Sequence, residues 1–377
     1  MKIPLIKPDL PSLEEISKEF KEVLSSGRVS NFGKYFCLFE KELSRYLNTY
    51  VSLVSSGTAG LILTLQALGL KENKKVILPS FTFMATAQAV LYAGGIPLFS
   101  DIDEDMTISV KDLEYLLYKN PDTFLVLGVH TFGLPCKVDQ IQNVVSHFSH
   151  KYNRKIFLVY DSAHAFGAQV NGKKMGSFGD AEVFSLSITK PLVCVEGGAV
   201  SSKNSLLIRR ICKMRNYGIG KNYDTYYPGL NSKMSELHAI IGLYNLRCFD
   251  FLMKQRQAKA IYYLERIYKS TSFENQIILS DKIIHTYKDF TILVPKYGKN
   301  KRNKIMQFLK EKGIETRAYF YPPLHKQKFF KKFSKRVLPK TEDISQRVIT
   351  LPFYASITKE EIDYIVDKLK EAERRFL

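Results

Sequence analysis

Two residues invite a chemical reading first. Lys190 lies in a stretch otherwise free of charge from Leu186 to Val195. An amine in such surroundings loses part of its affinity for protons and becomes a nucleophile for carbonyl carbons. Asp161 follows the apolar run Ile156-Phe157-Leu158-Val159-Tyr160, and a carboxylate placed there must meet a cation or several hydrogen-bond donors. Each also has a plain structural reading: a lysine that snorkels to solvent, an aspartate in a structural ion pair. Upstream, Ser55-Ser56-Gly57-Thr58-Ala59-Gly60 places free N–H groups and hydroxyls at a helix start, a site suited to a phosphate. Such a segment is more often only a helix cap. Pro79-Ser80-Phe81-Thr82-Phe83 offers an aromatic ring, which taken alone reads as core. Anion cradle, ring, aspartate and lysine together match one cofactor. Pyridoxal phosphate needs its phosphate held, its ring stacked, its pyridine nitrogen kept protonated and its aldehyde bound to a lysine.

These residues must be brought together by the elements that carry them. Short apolar runs (Val51–Val54, Val76–Pro79, Ile96–Phe99, Phe124–Leu127, Ile156–Tyr160) alternate with amphipathic stretches such as Ala59–Leu70. That alternation predicts a buried, mostly parallel sheet with helices on both faces. In such sheets ligands bind beyond the carboxyl ends of the strands, where all four features fall. After about residue 245 the texture changes. A charged helical pattern over Phe251–Tyr268 precedes a strand at Phe290–Val294, a helix at Lys301–Lys312, an extended segment and a last helix at Lys359–Arg375. The expected organisation is a large domain over 1–245 and a smaller α+β domain over 246–377.

Bulk properties exclude several classes. With 377 residues, 45% hydrophobic and 25% charged, the chain is too apolar for disorder. It has no apolar run long enough to span a bilayer, and its first residues lack a secretory signal, so a cytoplasmic protein is expected. Five cysteines without CxxC spacing suggest reduced structural thiols and no zinc site. The net charge of +19 admits nucleic-acid binding as an alternative. The densest basic stretch, Lys326–Arg336, interleaves lysines with Phe329, Phe330 and Phe333. The simpler account is a solvated face over core phenylalanines, the charge serving anionic small substrates.

Several blocks resemble nucleotide-sugar aminotransferases of the DegT/StrS kind. Asp161-Ser-Ala-His164-Ala-Phe-Gly167, Gly176-Ser-Phe-Gly179-Asp180, Ser185 to Lys190 and Glu196-Gly-Gly198 are similar to the family's reactive-lysine block. The likeness extends from Ser25-Ser26-Gly27-Arg28 through Val129-His130-Thr131-Phe132-Gly133 and Arg215-Asn216-Tyr217-Gly218 to Gly313-Ile314-Glu315-Thr316-Arg317 and Tyr321-Pro322-Pro323-Leu324-His325. It implies an α/β fold of aspartate-aminotransferase type, fold type I. It implies that Lys190 binds the aldehyde of pyridoxal 5'-phosphate and shuttles a proton, and that Asp161 pairs with the pyridine nitrogen. Phe83 would stack on the ring, His164 would lie near it, and Gly57, Thr58 and Ser185 would hold the phosphate.

Asn231 matches an asparagine that family members contribute from a neighbouring subunit, which implies a homodimer with shared sites. The usual tyrosine-arginine after it is Ser232-Lys233 here, leaving Lys233, Arg317 and His325 as candidate substrate contacts. Family dehydratases carry histidine at the lysine position, so Lys190 favours amine transfer. The implied substrates are L-glutamate and a nucleoside-diphosphate keto-deoxyhexose. His164 points to C-4 of a dTDP- or UDP-linked 4-keto-6-deoxyhexose, with C-3 as the alternative, and the amino sugar would serve surface polysaccharide such as O-antigen.

Overall fold

The computed structural model describes residues 2–275 and 282–377. Helices α1 (Leu13–Ser26) and α2 (Lys34–Leu47) lead into β1 (Tyr50–Val54), α3 (Gly57–Ala67), β2 (Lys75–Pro79), α4 (Met84–Tyr92), β3 (Ile96–Ser100), α5 (Val110–Lys119), β4 (Leu125–Val129), α6 (Val138–Lys151) and β5 (Phe157–Asp161). Two short strands, β6 (Gln169–Val170) and β7 (Lys173–Lys174), precede β8 (Ala181–Ser185), β9 (Gly198–Ser202) and α7 (Ser205–Met214). The remainder holds α8 (Glu236–Ser270), β10 (Glu274–Asn275), β11 (Ile283–Ile284), β12 (Phe290–Leu293), α9 (Arg302–Glu311), α10 (Pro339–Arg347), β13 (Val348–Leu351) and α11 (Lys359–Phe376).

The main sheet has the order β1-β9-β8-β5-β4-β2-β3. Its strands from β8 to β3 pair in parallel, and β9 alone runs against its neighbours. Alternate residues of one strand point to opposite faces, and the cores follow that rule. Val76 and Leu78 of β2 and Leu125 and Leu127 of β4 pack with α3, α4 and α7. Ile77 and Val126, between them, pack with α5 and α6 on the other face. Burial on both faces is why these strands read as unbroken apolar runs.

A second core gathers β12, β13, α9, α11 and Ile3, behind the antiparallel sheet β10-β12-β13. Helix α8 serves both. Ala239, Ile240, Leu243, Phe249 and Met253 pack on α1 and α2, whereas Ala260, Tyr263, Leu264 and Ile267 belong to the second core. The expected division after residue 245 therefore falls inside a continuous helix. Two expectations need correction. α8 begins at Glu236, well before Phe251, and the supposedly extended stretch before the last helix contains α10 and β13. In the basic stretch Phe330 is buried and Phe329 exposed, while Arg336 pairs with Asp112 and Lys326 with Glu342. Among the described residues no helix is long and apolar enough to cross a membrane.

Candidate active site

A cavity of about 360 Å³ lies at the carboxyl ends of the parallel strands, closed on its far side by residues of the C-terminal part. Five strands contribute. β1 leads into Ser56, Gly57 and Thr58, β2 into Thr82 and Phe83, β4 into His130 and Thr131, β5 into Asp161 and His164, and β8 into Ser185, Ser187, Thr189 and Lys190.

Helix α3 opens at the cavity edge. Ser56 caps it, its Oγ accepting the Ala59 N–H at 3.1 Å. First-turn N–H groups have no acceptor within their own helix, so Gly57 and Thr58 present donors and a positive dipole end where an anion is best held. Glycine at position 57 allows a close approach, since a Cβ there would stand 3.0 Å from Cβ of Ser185, which would have to give way. Ser185 thus adds a hydroxyl beside the same helix start.

Asp161 is buried. Thr86 Oγ1 donates to its Oδ2 at 2.7 Å and the Ala163 N–H to its Oδ1 at 3.1 Å. Burial pushes its pKa up, against these two donors and the charges of Lys190 and His130. Two donors are few for a buried carboxylate with four lone-pair sites, which leaves room for a cationic N–H.

Lys190 borders the cavity, so part of its surface is reachable by water, but protein surrounds the rest. Burial, reinforced by the charge of Lys288, pushes its pKa down to about 7, against the pull of Asp289, Asp161 and Glu196. The amine is therefore available as a nucleophile near neutral pH. His164 is nearly buried, and burial with the charges of Lys190, Lys288 and His285 holds its pKa well below the usual imidazole value. It is a neutral ring, able to donate and accept. Phe83, which by itself reads as core, is 50% exposed and faces the cavity, whereas Phe81 two residues earlier is the buried one. A phosphate-sized anion, an aromatic ring, a protonated ring nitrogen and a carbonyl each find a fitting group, so this side-chain set suits pyridoxal phosphate.

The remaining expected residues lie elsewhere. Asn231 is exposed and outside the cavity of its own chain, and accepts a hydrogen bond from Lys233 Nζ at 2.8 Å. Lys233 also reaches Asn216 at 3.2 Å. Arg317 is exposed beside Tyr319, whose ring does line the cavity. His325 is not brought to the cavity. Its Nδ1 meets Ser80 Oγ at 2.6 Å and its Nε2 meets Glu342 at 3.1 Å, so both ring nitrogens are committed to tying the loop after β2 to helix α10. Sequence reasoning missed Lys288, Asp289, Tyr319 and Phe320 on the far wall. The only signal was a pair of opposite charges directly before the apolar run of β12.

Comparison with known proteins agrees with this geometry. The model of the DegT/DnrJ/EryC1/StrS aminotransferase family matches residues 12–370. GDP-perosamine synthase of Vibrio cholerae is 30% identical over 98% of both chains. A Shigella dysenteriae protein named dTDP-4-amino-4,6-dideoxy-D-glucose transaminase is 30% identical over 97% of both. An Aneurinibacillus thermoaerophilus protein named dTDP-3-amino-3,6-dideoxy-alpha-D-galactopyranose transaminase is 30% identical over 94% of both. Among solved structures, the PLP-form of Spr1654 from Streptococcus pneumoniae superposes with a TM-score of 0.92 at 25% identity, covering 100% of both chains. With a family model spanning nearly its whole length and a cavity furnished for amine transfer, this chain belongs to the DegT/DnrJ/EryC1/StrS aminotransferase family.

Proposed function

We propose that this aminotransferase moves an amino group from L-glutamate to C-4 of a dTDP- or UDP-linked 4-keto-6-deoxyhexose, with pyridoxal phosphate as cofactor, and so supplies an amino sugar for surface polysaccharide. The observation that carries the reading is the placement of Lys190 in the cavity that Asp161, Phe83, Gly57 and Thr58 also line. When bound, the cofactor carries the amino group between the two substrates and draws electrons from the reacting carbon.

The chain's own residues do the rest. Gly57, Thr58 and Ser185 hold the phosphate. Phe83 covers one face of the ring, and Asp161 keeps a proton on the ring nitrogen. Lys190 Nζ supplies the covalent anchor and then carries a proton to the sugar carbon that gains nitrogen. His164, neutral, hydrogen-bonds near the ring and is the residue on which the choice of C-4 rests. Asn231, exposed on its own chain, and half-buried Lys233 would reach the phosphate and substrate of a partner subunit in a homodimer, with Arg317 at the rim. Relatives at 30% identity named for both 4-amino and 3-amino sugars make regiochemistry the point to test. Incubation with glutamate and a panel of keto-sugar nucleotides, followed by NMR of the product, is expected to show nitrogen on C-4. Nitrogen on C-3, or no reaction with any 4-keto sugar, overturns the assignment.

A further inference from the structure

The far wall of the cavity holds a charged atom that the proposed transfer does not use. The side chain of Asp289 is only 3% exposed, and its Oδ1 accepts a hydrogen bond from Lys288 Nζ at 2.7 Å. Among the described residues its Oδ2 has no hydrogen-bond partner although it is fully buried. Nδ1 of His164 is 3.9 Å from it, too far for a hydrogen bond. Folded proteins rarely leave a buried carboxylate oxygen without a donor, because its lost hydration is not repaid. Asp289 lines the cavity, so a ligand bound there is in a position to bring the missing donor.

The chemistry of the ligands narrows the choice. Phosphates and the carboxylates of an amino donor are acceptors and would be repelled. Of the groups that the two substrates bring to the reacting carbons, two can donate, a sugar hydroxyl and the ammonium of the amino donor. Lys288 and Asp289 form a nearly buried pair of zero net charge, and a neutral hydroxyl keeps it so, whereas an ammonium would add an unbalanced charge next to Lys288 Nζ. Tyr319 and Phe320, stacked with centroids 5.7 Å apart, line the same wall and offer an apolar surface to the C–H groups of a sugar.

We propose that Asp289, held in place by Lys288, is a specificity residue for the sugar: its free Oδ2 accepts a hydrogen bond from a ring hydroxyl of the keto sugar. This rests on the transaminase reading, and the experiment separates the two. Holoenzyme is prepared as wild type, as Asp289→Asn, and as Asp289→Ala combined with Lys288→Met, which leaves no lone buried charge. The donor half-reaction with glutamate and the sugar half-reaction are followed separately by cofactor absorbance.

In both variants the sugar concentration giving half-maximal rate should rise about ten- to a hundredfold, the worth of one charge-assisted hydrogen bond, with the smaller rise in Asp289→Asn. Half-saturating glutamate should stay at its wild-type value. The wild type's preference for a hydroxylated over a ring-deoxygenated keto sugar should vanish in the double variant. If glutamate saturation weakens as much as sugar saturation, or alone, or if the preference survives, the proposal is overturned. Should the double variant fail to fold by circular dichroism, the near-isosteric Asp289→Asn carries the same comparison. A wild-type protein that neither captures cofactor nor reacts with glutamate would instead sink the transaminase reading, and the proposal with it.

Discussion

The depressed basicity of Lys190 can be tested without any substrate, by the rate at which the apo-protein captures pyridoxal phosphate. Only the neutral amine attacks an aldehyde. Burial and the neighbouring Lys288 disfavour the ammonium, so the neutral form appears as pH rises through about 7 instead of through the ordinary lysine value of 10.5. At pH 7 half of the Lys190 amines are then reactive, against about one in three thousand for an ordinary lysine, an advantage of about a thousandfold. Capture followed by stopped-flow absorbance should climb about tenfold per pH unit below 7 and level off above it. The cofactor's own ionisations are removed by dividing each rate by that of a simple primary amine at the same pH. The ratio should be flat below 7 and fall about tenfold per unit above, to about pH 9. A ratio that stays flat up to that pH means Lys190 titrates like an exposed lysine, and the account of the cavity as a desolvating environment is refuted. Borohydride reduction and peptide mapping must place the label on Lys190.

Three further outcomes are expected. Asp161→Asn should retain the fold but lose about a thousandfold or more in turnover, since the cation it would pair with is left buried and alone; near-normal turnover at full cofactor occupancy rules out its role. His325→Ala should lower the unfolding free energy by about 1.5–3 kcal/mol, because Ser80 and Glu342 each lose the hydrogen bond to its ring, without changing the half-saturating sugar concentration; the reverse pattern in urea unfolding and kinetics would return His325 to the substrate site. Lys190→Ala and Asn231→Ala, each crippled, should regain activity when mixed under conditions of subunit exchange, as one hybrid site keeps both residues. A competent monomer by light scattering would contradict that expectation.

The strands were legible because each is buried on both faces and carries no competing pattern. Antiparallel β9 was not, since the short segment Gly198-Ala199-Val200-Ser201-Ser202 carries no mark of direction, which is decided by its pairing between β8 and the distant β1. The first half of α8 was missed because it is apolar on more than one side. Gly242 in particular reads as a breaker, yet a Cβ there would stand 2.4 Å from the ring of Phe39, so the residue marks a close helix crossing. Polar α10 hid behind Pro339, which here occupies the first turn, where proline is tolerated. In the site, Lys190, Asp161 and Gly57 were visible because each is locally odd. Lys288 and Asp289 were not, because adjacent opposite charges ordinarily mark a solvated turn, and only the fold shows that this pair is buried.

Helix α8 has a thermodynamic consequence of its own. Its segment beyond Ala260 forms part of the second core, while its N-terminal part is packed on α1 and α2. A helical piece that short does not persist in water by itself, so melting the second core must unravel the rod back toward Met253 and expose the underside of the first. The two halves of the chain should therefore unfold in one calorimetric transition. Any ligand held in the cavity, whose walls come from both halves, should raise the melting of the whole chain by mass action.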